Sequence, residues 1–336
     1  MTDPSWRIGI AGAGAIGTTL AVRLALSGHA VGVLARGGTL DVIRRNGLRL
    51  TDLDGTHEVR VEAGGPGELG ERDVVFLCAK AQDLAPLATA AGGMIGPDTL
   101  VVPIVNGIPW WYFEGVGGRN GGRTVQAVDP DGRLKALLPL DRVIGAVAFI
   151  TAERLAPGVA HTANPLRMII GEITHDRTAR AERLGAALGR CGIATQVSDR
   201  LRDPLWTKVI ANLTSNPLSV VAGATLRDIY GAAELSHIAR QLLDEALLTA
   251  AAHGARVELD PAAFLAMGAG MGAVKTSMLQ DFEKGLPLEL SSICDAVIEL
   301  AELHNLPMPL TKTIASLARF KSAQAAGQPI QETGAR

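Results

Sequence analysis

The sequence predicts an α/β fold over its first 200 residues and an all-helical region after them. Glycine is abundant, with 39 of 336 residues, while Phe, Trp and Tyr together make up only 4%. That balance suits tight turns and small residues at helix–sheet contacts better than it suits a β-sandwich. Short apolar runs alternate with helical spacing up to about residue 200, the mark of a parallel sheet buried on both faces. Beyond Leu205 the strand signals stop. The length corresponds to two domains of roughly 150 residues each. The VSDRLRD stretch near residue 200 is the expected boundary, giving domains over 1–199 and 200–325.

Arg7–Ala11 is a short apolar run and reads as a strand. Ala15–Ser27 carries Ile16, Leu20 and Leu24 at helical spacing, with Ala21 and Ala25 between them. Ala30–Ala35 and Asp73–Ala79 (DVVFLCA) are the next strands, and a helical Leu84–Ala91 leads to another over Thr99–Val105. Between about Trp110 and Arg142 the pattern breaks, and EGVGGRNGGR at Glu114–Arg123 reads as a mobile loop or insertion. Strands resume at Val143–Thr151, Gly158–Thr162 and Arg167–Gly171, and a helix (Arg180–Leu188) and a strand (Ala194–Val197) close the domain. Helices follow over Leu205–Val221, Ala232–Ala252, Pro261–Gly268, Ser291–His304 and Thr311–Ser322. Asp260-Pro261 supplies an N-cap followed by Pro at the first helical position. Ala325–Arg336 reads as a frayed tail.

Composition narrows the function classes. Hydrophobic residues make up 47% and charged residues 20%, enough for two ordinary cores. Lys plus Arg total 32 against 34 Asp plus Glu, a balance that argues against coating nucleic acid or an anionic membrane. Cys78, Cys191 and Cys294 are odd in number, far apart and without a CxxC pair, which argues against a disulfide framework or a structural zinc site. The start, MTDPSWRIGIAG, lacks the basic and long apolar parts of a signal peptide, and nowhere do 18 uninterrupted apolar residues occur. A soluble cytoplasmic protein is expected.

Gly12-Ala13-Gly14-Ala15-Ile16-Gly17 fits G-x-G-x-x-G. Glycine-rich sequences generate that pattern by chance, but here it leaves an apolar strand and opens an apolar-periodic helix, the context a dinucleotide site needs. The first glycine permits the tight turn, and the second lets a pyrophosphate approach the backbone. The third lets the helix lie against the strand, with its N–H groups and dipole facing the phosphates. A plain β–α turn is the alternative. An NAD site would place Asp or Glu at the end of the second strand to hold the ribose 2′-OH. VGVLARGG has Arg36 there, and a guanidinium can pair with a 2′-phosphate through two parallel hydrogen bonds. NADP(H) is the expected cofactor, against the alternative that Arg36 is an ordinary surface residue.

Lys80 ends the strand DVVFLCA, at the carboxyl edge where open sheets bind ligands. Asn106 holds the corresponding place after Val101–Val105, although Asn-Gly is also a common turn. In LWTKVIANLTSNPLSVV, Lys208, Asn212 and Asn216 lie four residues apart, a slowly rotating row on one helix face. The other faces carry Leu205, Val209, Ile210 and Leu213. Such a row is either satisfied structurally by caps and a snorkelling lysine, or it is a lysine poised as an acid with amides orienting a substrate. Ser277 and Glu289 flank a loop-rich stretch, SMLQDFEKGLPLELSS, and Glu289 could simply start the following helix. Trp110 and Trp111, close behind Asn106, are either pocket wall or core. The seven histidines show no HExxH or other paired metal spacing, and GxSxG is absent.

With these residues in view, the chain resembles the ketopantoate reductases (2-dehydropantoate 2-reductases), NADPH enzymes of pantothenate biosynthesis. The likeness runs from GAGAIG to HNLPMP. It takes in Arg36, Lys80, Asn106-Gly107 and a PG…H element at Pro157, Gly158 and His161, then WTKVIANLTSNPL and SMLQDFEKGLPLEL. The resemblance implies a Rossmann-type N-terminal domain and an all-helical C-terminal domain, with the active site in the cleft between them. It also implies a catalytic Lys208 and substrate-orienting Asn106, Asn212, Asn216 and Ser277. Arg36 and Lys80 would hold the phosphates or adenosine end of NADPH, with Asn106 also counted among the cofactor contacts, and Glu289 would sit beside nicotinamide and substrate. The chain departs from the family pattern in three places. Leu226 stands where a further asparagine often lies, AVKT precedes Ser277, and the segment from NGIPWWYF to Arg142 is longer. The substrate expected is therefore ketopantoate or a related small 2-oxo acid, and an NADP-binding regulatory protein without turnover is a third reading. A homodimer is left open.

Overall fold

The computed structural model describes residues 5–327. The tail read as frayed falls mostly on 328–336, outside the described residues, as do the first four residues of the N-terminal segment. The chain gathers into two compact units. The first holds residues up to Val105 together with Trp110–Thr124 and Asp129–Leu201; the second holds Asn106–Pro109, Val125–Val128 and the chain from Arg202.

In the first unit the order is β1 (Arg7–Ala11), α1 (Ala15–Leu26), β2 (Ala30–Leu34), α2 (Gly37–Asn46), β3 (Leu48–Asp52), β4 (Gly55–Val59), β5 (Glu62–Gly64), β6 (Arg72–Leu77), α3 (Leu84–Ala90) and β7 (Ile95–Pro103). After a short α4 (Arg133–Leu137) come β8 (Ile144–Phe149), β9 (Ala152–Ala156), β10 (Val159–Thr162), β11 (Arg167–Glu172), α5 (Ala179–Arg190) and β12 (Ala194–Val197). Strands β5-β2-β1-β6-β7 form an all-parallel sheet. The chain builds outward from β1 through β2, then crosses to the other side of β1 for β6 and β7. The loop after β1 therefore lies at a switch point, where open sheets bind ligands. Ile8, Ile10, Val31, Val33, Val74, Phe76 and Val102 are buried, as expected for a parallel sheet with both faces covered. Leu20 and Leu24 of α1 and Leu184 and Leu188 of α5 join them in one core.

Residues 37–64 carry no element in the sequence reading, yet they form α2 to β5. Strands β3 and β4 belong to a second sheet, β4-β3-β10-β9, and a third is ordered β12-β11-β8. The reason β4 escapes notice is physical: GTHEV is a mostly exposed strand with almost no apolar alternation to read. In the irregular segment after β7, Trp110 and Trp111 are only 2% exposed and belong to the core, which replaces the pocket-wall reading. The loop read as mobile is tied to α4, because Lys135 Nζ donates to Glu114 Oε1 and to the Gly122 carbonyl, each at 2.6 Å.

The second unit is built of α6 (Arg202–Ala222), α7 (Leu226–Gly231), α8 (Ala233–Ala252), α9 (Pro261–Gly270), α10 (Ser277–Glu283), α11 (Ala296–Glu302) and α12 (Pro309–Ala325). Asp260 caps α9 as its spacing predicts, its side chain accepting the Ala263 N–H at 2.7 Å. The stretch after Ser277, read as loop-rich, opens instead with α10, because Thr276 Oγ1 accepts the Leu279 N–H at 3.1 Å. The helix expected over Ser291–His304 is a π-helical turn, Ser291–Asp295, running into α11. Pro217 lies inside α6 and has no N–H for the Leu213 carbonyl. Lys321 of α12 donates to the carbonyls of Val220 and Val221 at 2.8 and 3.0 Å, closing the last turn of α6. Among the described residues no helix is long and apolar enough to cross a membrane.

The packing of β8 on the tryptophans can be tested. A Cβ at Gly145 would lie 2.3 Å from Leu201 Cδ2 and 2.8 Å from the Trp111 ring. Gly145→Ala is expected to cost about 1–3 kcal/mol by overpacking, read as a lower melting temperature by calorimetry. A variant melting with the parent would show that β8 has room there.

Candidate active site

Strands β2, β1 and β6 end in register, Ala11 pairing with Leu34 on one side and Leu77 on the other. Their following loops therefore share one edge and carry Arg36, the glycine turn and Lys80. The three glycines answer to different constraints. Gly12 has φ +100°, and a Cβ there would meet the Cys78 carbonyl oxygen at 2.3 Å. At Gly17 a Cβ would fall 1.9 Å from the Gly12 oxygen, so only glycine lets α1 lie this close to the turn. Gly14 is different: among the described residues nothing lies within 4 Å of its Cβ position, so the backbone there is open. Ala13, Ala15 and Ile16 between them are half-buried.

The first turn of α1 has neither a side-chain cap nor an acidic residue, which leaves its N–H groups and positive dipole end for an anion. Arg36 is exposed and in extended conformation, at the N-cap of α2. Lys80 is half-buried at the start of the short turn that follows β6. Cys78 lies beside the glycine turn, but burial pushes its thiol up to about 12, so it is no nucleophile at neutral pH.

In the helical unit, α6 presents the row seen in the sequence. Lys208 and Asn212 are half-buried, and Asn216 is 3% exposed. Leu205, Val209, Ile210 and Leu213 are buried and hold the helix in place. Asn216 Oδ1 accepts from Ser215 Oγ at 3.3 Å, whereas among the described residues its buried Nδ2 has no hydrogen-bond partner. Glu289 is buried, and Asn106 Nδ2 donates to its Oε2 at 3.2 Å. Sequence reasoning puts Asn106 at the sheet edge beside Lys80. β7 ends at Pro103, two residues before the expected Val105, and Asn106 groups with the helical unit.

Ser277 is exposed, and among the described residues no bond ties it to the row. Its neighbour Thr276 is buried; Thr276 Oγ1 lies 2.6 Å from Ser219 Oγ, which donates to the Asn216 carbonyl at 2.6 Å. Thr276 and Ser219 thus support the backbone of the row, and sequence reasoning passes over both. A threonine directly ahead of an apolar helical run was the available signal.

Burial lowers the Lys208 pKa from the usual lysine range to about 8, and the negative charge of Glu289 opposes the fall. The arrangement offers an ammonium that is charged at neutral pH yet releases its proton more readily than a surface lysine. Because the folded value lies below the unfolded one, the unfolded chain binds more protons above about pH 8. This group's contribution to stability therefore rises with pH from about 8 towards the ordinary lysine value.

A glycine turn at the switch point of a parallel sheet, with a desolvated lysine set against a buried carboxylate on a helical unit, defines an oxidoreductase of the α/β-plus-helical class. The family model described as "Ketopantoate reductase PanE/ApbA" matches residues 8–175, and its C-terminal counterpart matches residues 200–322. A 2-dehydropantoate 2-reductase of Mesorhizobium japonicum is 36% identical over 315 residues, covering 93% of this chain and 97% of its own. Among solved structures, a candidate ketopantoate reductase from Ralstonia solanacearum MolK2 matches with TM-score 0.91 and 37% identity, over 96% of this chain and 99% of that one. A D-mandelate dehydrogenase solved with NADH and anilino(oxo)acetate shares the fold at TM-score 0.81 and 20% identity, over 95% and 99% of the two chains. The chain belongs to the ketopantoate reductase family, oxidoreductases acting on a CH–OH group.

The field at Lys208 is open to measurement. Side-chain NMR of the lysine should find titration near pH 8 in the parent and a still lower midpoint in Glu289→Gln, since that change removes the charge that raises it. An unchanged or higher midpoint in the variant would mean that Glu289 does not act on the amine.

Proposed function

We propose that this chain is a cytoplasmic NADPH-dependent reductase converting 2-dehydropantoate (ketopantoate) to pantoate, with residues 1–199 holding the cofactor and 200–325 the oxo acid. The reading is carried by the row on α6, which begins at an ammonium and ends at a buried amide donor with no partner among the described residues. A buried donor of that kind calls for an acceptor, and the carboxylate or hydroxyl of a small oxo acid is one. The identity with the Mesorhizobium japonicum reductase supports the same substrate.

The sheet-edge residues fit NADP(H). The open face of Gly14 leaves room for a pyrophosphate against the backbone, and the uncapped N–H groups of α1 suit its charge. Arg36 would pair with the 2′-phosphate and Lys80 with the phosphates or adenosine end, while Asn106 and Glu289 would serve the nicotinamide end. When bound, the dihydronicotinamide supplies the hydride. Lys208 stabilises the negative charge that develops on the ketone oxygen and then protonates that oxygen; general acid catalysis of this kind is worth roughly 10²–10⁴-fold. Glu289 keeps the amine charged and in place. Asn212, Asn216 and Ser277 bind the carboxylate and hydroxyl of the substrate.

A second reading, reduction of another 2-oxo acid, is favoured by Leu226 and Val274. Their backbones are joined, the Leu226 N–H donating to the Val274 carbonyl at 2.9 Å. Two of the departures from the family pattern, Leu226 and the AVKT stretch, thus lie side by side.

Loss of NADPH absorbance with a panel of 2-oxo acids tests the reading. Ketopantoate should turn over fastest; a faster acid selects the second reading, and tight NADPH binding with no turnover selects a regulatory protein. Lys208→Ala should lower kcat at least about a hundredfold with the NADPH dissociation constant nearly unchanged, and near-full turnover would remove Lys208 from the mechanism. Arg36→Ala should abolish the preference for NADPH over NADH in kcat/KM. Equal use of both cofactors by the parent would refute the assignment of NADP.

A further inference from the structure

Four residues, Asn106–Pro109, leave the first unit to lie with the helices, and what they meet there is a backbone surface. The Ile108 N–H donates to the Ser292 carbonyl at 2.9 Å. Ser292 is fully buried within the π-helical turn Ser291–Asp295, two residues beyond the turn's neighbour Leu290 and three beyond Glu289. A π turn carries one residue more than an α turn and recurs at functional sites, because it re-aims backbone and side chains around it. Gly107, between Asn106 and Ile108, has φ +81°, and a Cβ there would stand 2.3 Å from the Ser292 oxygen and 2.4 Å from its carbonyl carbon. Those are backbone atoms, which cannot swing aside as the end of a side chain can. Any side chain at position 107 must push the segment off the π turn by about 1 Å, and the segment's first residue is Asn106, whose amide rests on Glu289.

We propose that Gly107 and the Ser292 carbonyl form a backbone clip, with Gly107 a positioning residue that sets the Asn106 amide on the Glu289 carboxylate. The clip rests on the functional reading above, in which Asn106 and Glu289 face cofactor and substrate. It explains why a segment arriving from a strand packs backbone to backbone here, with no side chain between: an amide on a short loop is otherwise free to drift. A misplacement of about 1 Å at a catalytic group can cost on the order of 10²-fold in rate.

A double-mutant cycle on the full chain separates positioning from general destabilisation. Gly107→Ala should lower kcat at least tenfold, whichever 2-oxo acid the parent reduces. Because the effect passes through Asn106, the double variant Asn106→Ala/Gly107→Ala should be no slower than Asn106→Ala, within about twofold. Multiplying effects, or a Gly107→Ala enzyme with parental kcat, would overturn the clip. Amide exchange of Ile108 in the parent is the second measurement and needs no variant to fold. Strong protection is expected, and exchange at the rate of an open loop would overturn the proposal. A parent that reduces no oxo acid refutes the functional reading instead, and the Ile108 exchange still decides whether the clip exists.

Discussion

A lysine partly withdrawn from water, with a carboxylate opposing the loss of its charge, is the constraint around which the helical unit is arranged. Desolvation alone would drive the Lys208 amine towards neutrality; Glu289 opposes it. Glu289 is itself buried, and Asn106 donates one hydrogen bond to it. Burying a carboxylate is costly unless it is paired and hydrogen-bonded, so the acid, the amine and the amide stand or fall together. The apolar residues on the remaining faces of α6 give the row its rigid base.

The glycine turn and the lysine row make complementary use of backbone and side chain. At the sheet edge the chain strips side chains away so that main-chain N–H groups face outward from an uncapped helix. On α6 it does the opposite, setting polar side chains into a helix and leaving the Asn216 amide donor without a partner among the described residues. Both features leave hydrogen-bonding capacity unmet among the described residues, which is uncommon for buried polar groups.

Much of this was legible in the sequence, because it is local. GAGAIG follows an apolar strand and opens a helix; Lys208, Asn212 and Asn216 reveal their common face by spacing; Asp260-Pro261 announces a helix start. What escaped reading is non-local or lacks an apolar rhythm. Strand β4 is polar and exposed, so it offers no alternation. The bond from Asn106 to Glu289 spans 183 positions, and nothing near either residue points to the other. The π turn has the composition of an α-helix, and one added residue leaves no trace in a periodicity. Thr276 was overshadowed by Ser277, although burial and the contact with Ser219 fall to the threonine.

Lys321 ties the far end of the chain to the helix that bears the row. Its amine takes up the terminal carbonyls at Val220 and Val221, a turn beyond Asn216 and just after the proline that leaves α6 one backbone bond short. The final helix is therefore a splint for the helix that carries the row. During synthesis on the ribosome, these two bonds would stay unmade until nearly all of the polypeptide had emerged, so a chain stopped short of Lys321 would leave the end of α6 without them.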